Sequence, residues 1–126
     1  MLKLHRFWLA AGWLLIGLVV FLSLIPHPPE LLAFENSDKF EHVFAYAMLS
    51  FWLCQIYRCA KSRVVVIAAL TALGVGLEYV QGWTGYRTFE VLDMLCDGAG
   101  VLSGWLLACT PLGRLLAYIE NYAASR

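Results

Sequence analysis

Residues 78–104 read EYVQGWTGYRTFEVLDMLCDGAGVLSG. The stretch joins the end of one apolar run to the start of the next, and polar residues collect at the junction. Glu78 lies near the end of the first run, Arg87 lies in the connection, and Asp93 and Asp97 lie near the start of the second run. Two long apolar runs joined by a short turn predict two helices whose ionisable residues are gathered at the end where they meet.

The composition is typical of a membrane protein. Hydrophobic residues make up 61% of the 126 residues, and charged residues make up 14%. A soluble domain carries about 25% charged residues. The length allows one domain, residues 1–126, and the formal net charge of zero gives no reason to expect a nucleic-acid partner.

Four apolar runs are long enough to cross a bilayer, since a helix rises about 1.5 Å per residue and the hydrocarbon layer is about 30 Å thick. We predict transmembrane helices at about residues 7–25, 40–57, 64–83 and 91–109. The first run has no small-residue cleavage pattern and is interpreted as an uncleaved helix, which the prolines at positions 26, 28 and 29 end. The predicted fold class is therefore all-α, an integral membrane bundle of four transmembrane helices. Residues 114–126 are expected to form a short amphipathic surface helix.

Small residues recur at four-residue spacing in two of the runs. The series are Ala68, Ala72 and Gly76 in the third run and Gly100 and Gly104 in the fourth. Small side chains at this spacing let helices approach closely, so both series predict helix packing.

The basic residues indicate the orientation of the bundle. Seven lie on the side of the two termini, and two lie on the other side: Lys3, Arg6, Arg58, Lys61, Arg63, Arg114 and Arg126, against Lys39 and Arg87. Because loops rich in Lys and Arg stay in the cytoplasm, both termini are predicted to be cytoplasmic. The expected location is the bacterial cytoplasmic (inner) membrane, with several passes through it.

The acidic residues follow the opposite order, and all but Glu120 lie toward the outer side. At about 1.5 Å per residue, Glu78 lies roughly 7 Å, Asp97 roughly 9 Å and His42 roughly 3–6 Å below the outer ends of their helices. An ionised group that faces lipid is costly. We therefore expect these side chains to converge in one outward-open cavity, with Arg87 and Lys39 as counter-charges.

Two chemistries fit such a cluster. A histidine with two or three carboxylates can bind a divalent metal, but no HxxxH or CxxC spacing supports this, and no metal ligand is assigned. Alternatively, a buried carboxylate acts as acid or base beside His42 while Arg87 and Lys39 hold an anionic group. The candidate catalytic residues are His42, Glu78 and Asp93. The candidate ligand-binding residues are Asp38, Lys39, Tyr46, Gln81, Arg87 and Asp97.

The order and spacing of these residues over positions 38–104 resemble the VanZ-like family. The matching elements are Asp38-Lys39-x-x-His42-x-x-x-Tyr46, Glu78-x-x-Gln81, Arg87 and Asp93-x-x-x-Asp97-x-x-Gly100-x-x-x-Gly104. The family comprises small bacterial membrane proteins and is named for one associated with resistance to the glycopeptide teicoplanin. The resemblance implies that Asp38, Lys39, His42, Glu78, Gln81, Arg87 and Asp93 form its polar signature. The family pattern leads us to expect Asn where this chain has Asp97.

The functional expectation is a cell-envelope membrane protein that binds or modifies a polar or lipid-linked ligand at the outer face. The partners expected are membrane lipid and a lipid-linked or cell-wall ligand, and the sequence identifies no cofactor. An enzyme and a binding protein both fit this description. The alternatives are a small transporter or proton relay, which the uncharged inner halves of the spans disfavour, and a structural membrane partner.

Overall fold

The computed structural model describes residues 2–26 and 32–126, and within these ranges it contains helices but no strands. The helices are α1 (His5–Leu24), α2 (Ser37–Ile56), α3 (Ala60–Trp83), α4 (Val91–Ala108), a 3-10 turn (Pro111–Arg114) and α5 (Leu115–Ala124). The all-α prediction is confirmed, and the largest shift in a bound is at the start of α3, residue 60 rather than 64. Residues 27–31, which include two of the prolines predicted to end the first span, lie outside the described ranges.

Three of the long helices are apolar enough to cross a membrane: α1, α3 and α4. Helix α2 is 20 residues long, the same length as α1. Its first turns contain Asp38, Lys39, Glu41 and His42, and these residues lower its mean hydropathy. By length and composition, the described residues thus contain three candidate spans rather than the four predicted.

Helix α2 is the centre of the bundle. It packs against α1, α3 and α4, and its contact with α4 is the most extensive. The buried apolar core includes Tyr46, Leu49 and Leu53 of α2, Leu70 of α3 and Val101 of α4. Because neighbouring helices cover so much of α2, polar residues on its inward faces need not contact lipid.

Two glycines allow α2 and α4 to approach closely. A Cβ atom at Gly100 would lie 2.4 Å from the Val43 carbonyl oxygen, and one at Gly104 would lie 2.2 Å from that of Ala47. The predicted role of these two glycines in helix packing is confirmed. The other small-residue series behaves differently, since Ala68, Ala72 and Gly76 are exposed and a Cβ at Gly76 would meet nothing within 4 Å.

Helix α5 closes the end of the bundle where α2 ends and α3 begins. Its presence confirms the predicted C-terminal helix. Its Glu120 carboxylate accepts hydrogen bonds of 2.7 Å from the backbone N–H groups of Lys3 and Leu4 and from the Trp8 indole. Burial raises the pKa of Glu120, but these three donors lower it more, so that its pKa lies below the ordinary value. This one side chain therefore ties the C-terminal helix to the start of α1.

Candidate functional site

Lys39 is the cation of a cluster at the end of the bundle where α2 and α4 begin and α3 ends. Its ammonium contacts Asp93, lies 2.5 Å from the Glu90 carboxylate and lies 3.1 Å from that of Asp38. Only 15% of the Lys39 side chain is exposed. The predicted role of Lys39 as a counter-charge is confirmed, and its partners come from two helices and the residue before α4.

These contacts favour the charged forms of the Lys39 ammonium and of the Glu90 carboxylate. The Lys39 ammonium is paired with the carboxylates of Asp93, Glu90 and Asp38, and such pairing favours its charged form. The hydrogen bond from Lys39 lowers the pKa of Glu90. Both groups are therefore ionised at neutral pH.

His42 lies one turn further along α2, between two acids of α4. Its Nδ1 atom lies 2.7 Å from an Asp97 carboxylate oxygen, within hydrogen-bond distance. Its Nε2 atom lies 3.7 Å from Asp93, beyond hydrogen-bond distance. The imidazole is thus oriented through one nitrogen, and the other nitrogen faces the Asp93 carboxylate without a hydrogen bond.

Asp97 brings three helices together. It starts from α4, contacts His42 on α2 and lies against Gly74 on α3, where an added Cβ would be 3.0 Å from the Asp97 side chain. Asp97 is 3% exposed and Asp93 is 8% exposed. The close approach of α3 at Gly74 therefore encloses the carboxylate that holds the histidine.

Glu78 closes the cluster from α3. The side chain is 1% exposed, and one carboxylate oxygen accepts a 2.7 Å hydrogen bond from the backbone N–H of Glu90. Glu90 is the N-cap of α4, where a carboxylate acceptor is stabilising. Glu78 therefore fixes the start of α4, while the Glu90 side chain binds Lys39.

Tyr46 lies on α2 one turn beyond His42. It is buried, and its Cβ atom lies against Gly100 of α4. The hydroxyl makes no hydrogen bond with a described residue.

Gln81 and Arg87 bind the end of α1 rather than the acids. The Gln81 amide donates to the Ser23 carbonyl oxygen at 2.8 Å, and the Arg87 guanidinium donates to that of Ile25 at 3.2 Å. Among the described residues, no carboxylate forms an ion pair with Arg87, so the prediction that Arg87 is a counter-charge to these acids was wrong. A free carbonyl at the C-terminal end of a helix is a strong acceptor, and the α1 carbonyls are nearer to this loop.

The structure thus brings together Asp38, Lys39, His42, Glu78, Asp93 and Asp97, and Tyr46 packs beside them against Gly100 of α4. Glu90 was not among the candidate site residues, although its carboxylate binds Lys39 and its backbone N–H donates to Glu78. The sequence feature that indicates a role for Glu90 is its position three residues before Asp93. Residues at this spacing lie on one face at the start of a helix.

The residues of the cluster are packed against each other. The outward-open cavity predicted at the cluster stays a prediction. Two cavities of the bundle are lined by residues outside the cluster. Within residues 2–26 and 32–126, no group of three or more His, Cys, Asp and Glu side chains has the geometry to hold a metal ion.

Comparison with known proteins places the chain in a family but not near a solved structure. The sequence model of the family described as VanZ/LLP1 matches residues 16–117, which include every residue of the cluster. An uncharacterized protein of Schizosaccharomyces pombe is 27% identical over 74 residues, which cover 56% of this chain and 46% of the yeast protein. The chain therefore spans about half the length of this relative. No solved structure matches.

Proposed function

The chain belongs to the VanZ/LLP1 family, and we propose that it is a four-helix membrane protein whose outer end binds a polar or lipid-linked ligand. The observation behind this proposal is the buried cluster around His42, Asp93 and Asp97 at one end of an otherwise apolar bundle. Buried ionisable groups in a membrane bundle are costly, and they commonly mark a functional site.

Membrane insertion of α2 as a fourth span is supported by the surface that it leaves uncovered. Phe40, Phe44 and Met48 are exposed and recur every four residues, so they form one apolar stripe on the outside of the helix. Helix α2 is also as long as α1, which is a candidate span. A helix whose polar first turns pack against its neighbours and whose outer face carries an apolar stripe fits a central transmembrane position.

The orientation follows from the basic residues. Seven Lys and Arg side chains lie at the end that holds both termini, and only Lys39 and Arg87 lie at the other end. Both termini are therefore assigned to the cytoplasm, and the cluster to the outer face of a bacterial inner membrane.

The charge of the cluster indicates what kind of ligand it would take. The cluster holds one lysine and five carboxylates: Asp38, Glu78, Glu90, Asp93 and Asp97. Lys39 is already bound by three of them, and Arg87 donates to α1. The geometry consequently favours a ligand rich in hydrogen-bond donors, such as hydroxyl or amino groups, over the anionic ligand expected from the sequence.

The chemistry available at the site centres on His42. Asp97 orients the ring through Nδ1, and Nε2 is free to exchange a proton with a bound ligand. A carboxylate-oriented histidine is suited to acid or base catalysis, and it also suits the binding of a hydroxyl or amine. Turnover and binding without turnover require the same geometry, so the experiment must separate them.

The test is complementation of a deletion strain, with teicoplanin susceptibility as the readout that the family resemblance suggests. His42→Gln, Glu78→Gln and Asp93→Asn should each fail to restore wild-type susceptibility at normal membrane abundance. Glu35→Gln is the matched control, because Glu35 is an exposed acid outside the cluster on the same predicted side. Full activity of all three variants would refute the site.

A second experiment then separates the two versions of the proposal. The purified chain is incubated with a lipid-linked cell-wall precursor, and the lipid is analysed by mass spectrometry. Chemical change of the precursor that His42→Gln abolishes identifies an enzyme, and retention of unchanged precursor identifies a binding protein. If the precursor is neither bound nor changed, this class of ligand is wrong.

A further inference from the structure

A second polar site lies at the opposite end of the bundle, where the two termini meet. A cavity of about 490 Å³ is lined by three arginines together with the end of α4 and the 3-10 turn. The arginines are Arg58 in the α2–α3 loop, Arg63 in the first turns of α3 and Arg114 at the end of the 3-10 turn. None of the residues that line this cavity belongs to the acidic cluster.

Arg63 is held in place by the ends of two helices. Its Nε and Nη2 atoms donate to the Cys54 carbonyl oxygen at 3.1 and 2.9 Å, and Nη2 also lies 3.4 Å from that of Ala108. The free carbonyls at helix C-termini carry partial negative charge, so this position suits a guanidinium. Arg63 therefore forms a fixed wall of the cavity rather than a mobile surface charge.

Arg58 and Arg114 are exposed, and they lie in separate segments of the chain. Within the described residues, none of the three guanidinium groups forms an ion pair with a carboxylate. Glu120, the acid of the adjoining α5, is engaged by the N-terminus and Trp8. The cavity thus has three positive charges at its wall and no negative charge of its own.

The surface beside the cavity is suited to the boundary between lipid and water. Leu112, Leu115, Tyr118 and Ile119 are exposed, whereas Leu116 and Glu120 face the bundle. A short helix with apolar and aromatic side chains on its outer face lies in the plane of the membrane interface. Such a placement of α5 would set Arg114, one residue before this helix, at the depth of the lipid headgroups.

We propose that this arginine-lined cavity binds a phosphate-bearing anion, with an anionic phospholipid headgroup as the form available at this depth. Guanidinium groups bind phosphate through paired N–H donors, and the cytoplasmic leaflet is rich in anionic lipid. The cavity volume falls within the range of about 300–1,000 Å³ that is typical of small-molecule sites. It is larger than a bare phosphate requires and accommodates a glycerophosphate group.

The test uses the purified full chain in nanodiscs that contain equal amounts of phosphatidylglycerol and phosphatidylcholine. Native mass spectrometry measures which lipid stays bound after release. The wild-type chain should retain phosphatidylglycerol preferentially, and Arg58→Gln and Arg114→Gln should each reduce that preference by about fivefold. Lys61→Gln is the matched control, because Lys61 is an exposed cation near Arg58 that does not line the cavity.

A second arm distinguishes a lipid from a soluble anion. Glycerol 3-phosphate is added at constant ionic strength before release of the lipid. Displacement of phosphatidylglycerol shows that the site takes the phosphate group from solution, and retention shows that it takes the lipid. Equal retention of the two lipids by the wild-type chain, or an equal loss in Lys61→Gln, would overturn the proposal. Arg63→Gln is avoided because it would also remove the cap of two helices.

Discussion

Asp97 is the residue at which three helices meet. Its carboxylate oxygen lies 2.7 Å from the Nδ1 atom of His42 on α2, and its side chain packs against Gly74 of α3. The family resemblance leads us to expect Asn at this position, and an Asn side chain also offers an oxygen acceptor of the same reach. A substitution of Asp97 by Asn can therefore remove the charge and keep the hydrogen bond to His42.

Asp97→Ala should lower the free energy of unfolding by about 1–3 kcal/mol, because it leaves the buried His42 ring without its partner. Asp97→Asn should cost clearly less, since it keeps an acceptor for Nδ1. Equilibrium unfolding in mixed micelles measures both. Asp38→Ala serves as the control, because the Asp38 side chain is 59% exposed and its ion pair with Lys39 is of the weak surface kind. Equal losses for Asp97→Ala and Asp97→Asn would show that the charge, and not the hydrogen bond, is what stabilises the fold.

Much of the cluster could be predicted at this scale because helical spacing fixes which residues share a face. His42 with Tyr46 and Asp93 with Asp97 are four residues apart, and both pairs lie at the interface of α2 with α4. The partner of Arg87 was predicted wrongly because Arg87 lies in a loop, where residue spacing does not indicate which way a side chain points. Its partner is a backbone carbonyl of α1, and a sequence does not indicate which carbonyls a helix end leaves free.

At the scale of elements, the contact between α2 and α4 dominates the bundle. Gly100 and Gly104 bring the backbones together, and Ser50 adds a 2.7 Å hydrogen bond to the Val101 carbonyl oxygen. This contact sets the spacing at which His42 reaches Asp97. The packing of two glycines therefore supports the geometry of the candidate site.

Gly100→Ala and Gly104→Ala should each destabilise the bundle by about 1–3 kcal/mol, because the new methyl group would meet the backbone of α2. Gly98→Ala is the control in the same helix, since a Cβ at Gly98 would have nothing within 4 Å. It should leave the stability unchanged or raise it by about 0.5–1 kcal/mol, the difference between Gly and Ala in a helix. Thermal unfolding in detergent compares the three variants. A loss in Gly98→Ala as large as in the other two would contradict the packing described.

The two small-residue series show what sequence reasoning at this scale lacks. Both have the spacing for close helix contact, yet only the one in α4 is buried, and Ala68, Ala72 and Gly76 face outward. Spacing identifies a face that permits close approach, but the position of the other helices decides whether a partner occupies it. Helix bounds were easier to predict, because long apolar runs and turn residues define them directly.

At the scale of the whole molecule, the two ends of the bundle differ in charge. One end holds the acids and Lys39, and the other holds both termini, α5 and the arginine-lined cavity. Composition predicted a membrane bundle, and the charge order along the chain predicted this separation. Composition alone did not predict that α2 would be the central helix, because its polar residues reduce the apolar signal that marks the other three.

The placement of the acidic end on the outer face is tested most directly by labelling single cysteines with a membrane-impermeant maleimide. The four native cysteines are first replaced by alanine, and Thr88→Cys or Lys61→Cys is then introduced. Both positions are exposed, Lys61 in the first turn of α3 and Thr88 in the connection that follows α3. We expect Thr88→Cys to react in intact spheroplasts and Lys61→Cys to react only after permeabilisation. Labelling of Lys61→Cys in intact spheroplasts, or protection of Thr88→Cys until permeabilisation, would contradict an outward-facing ligand site.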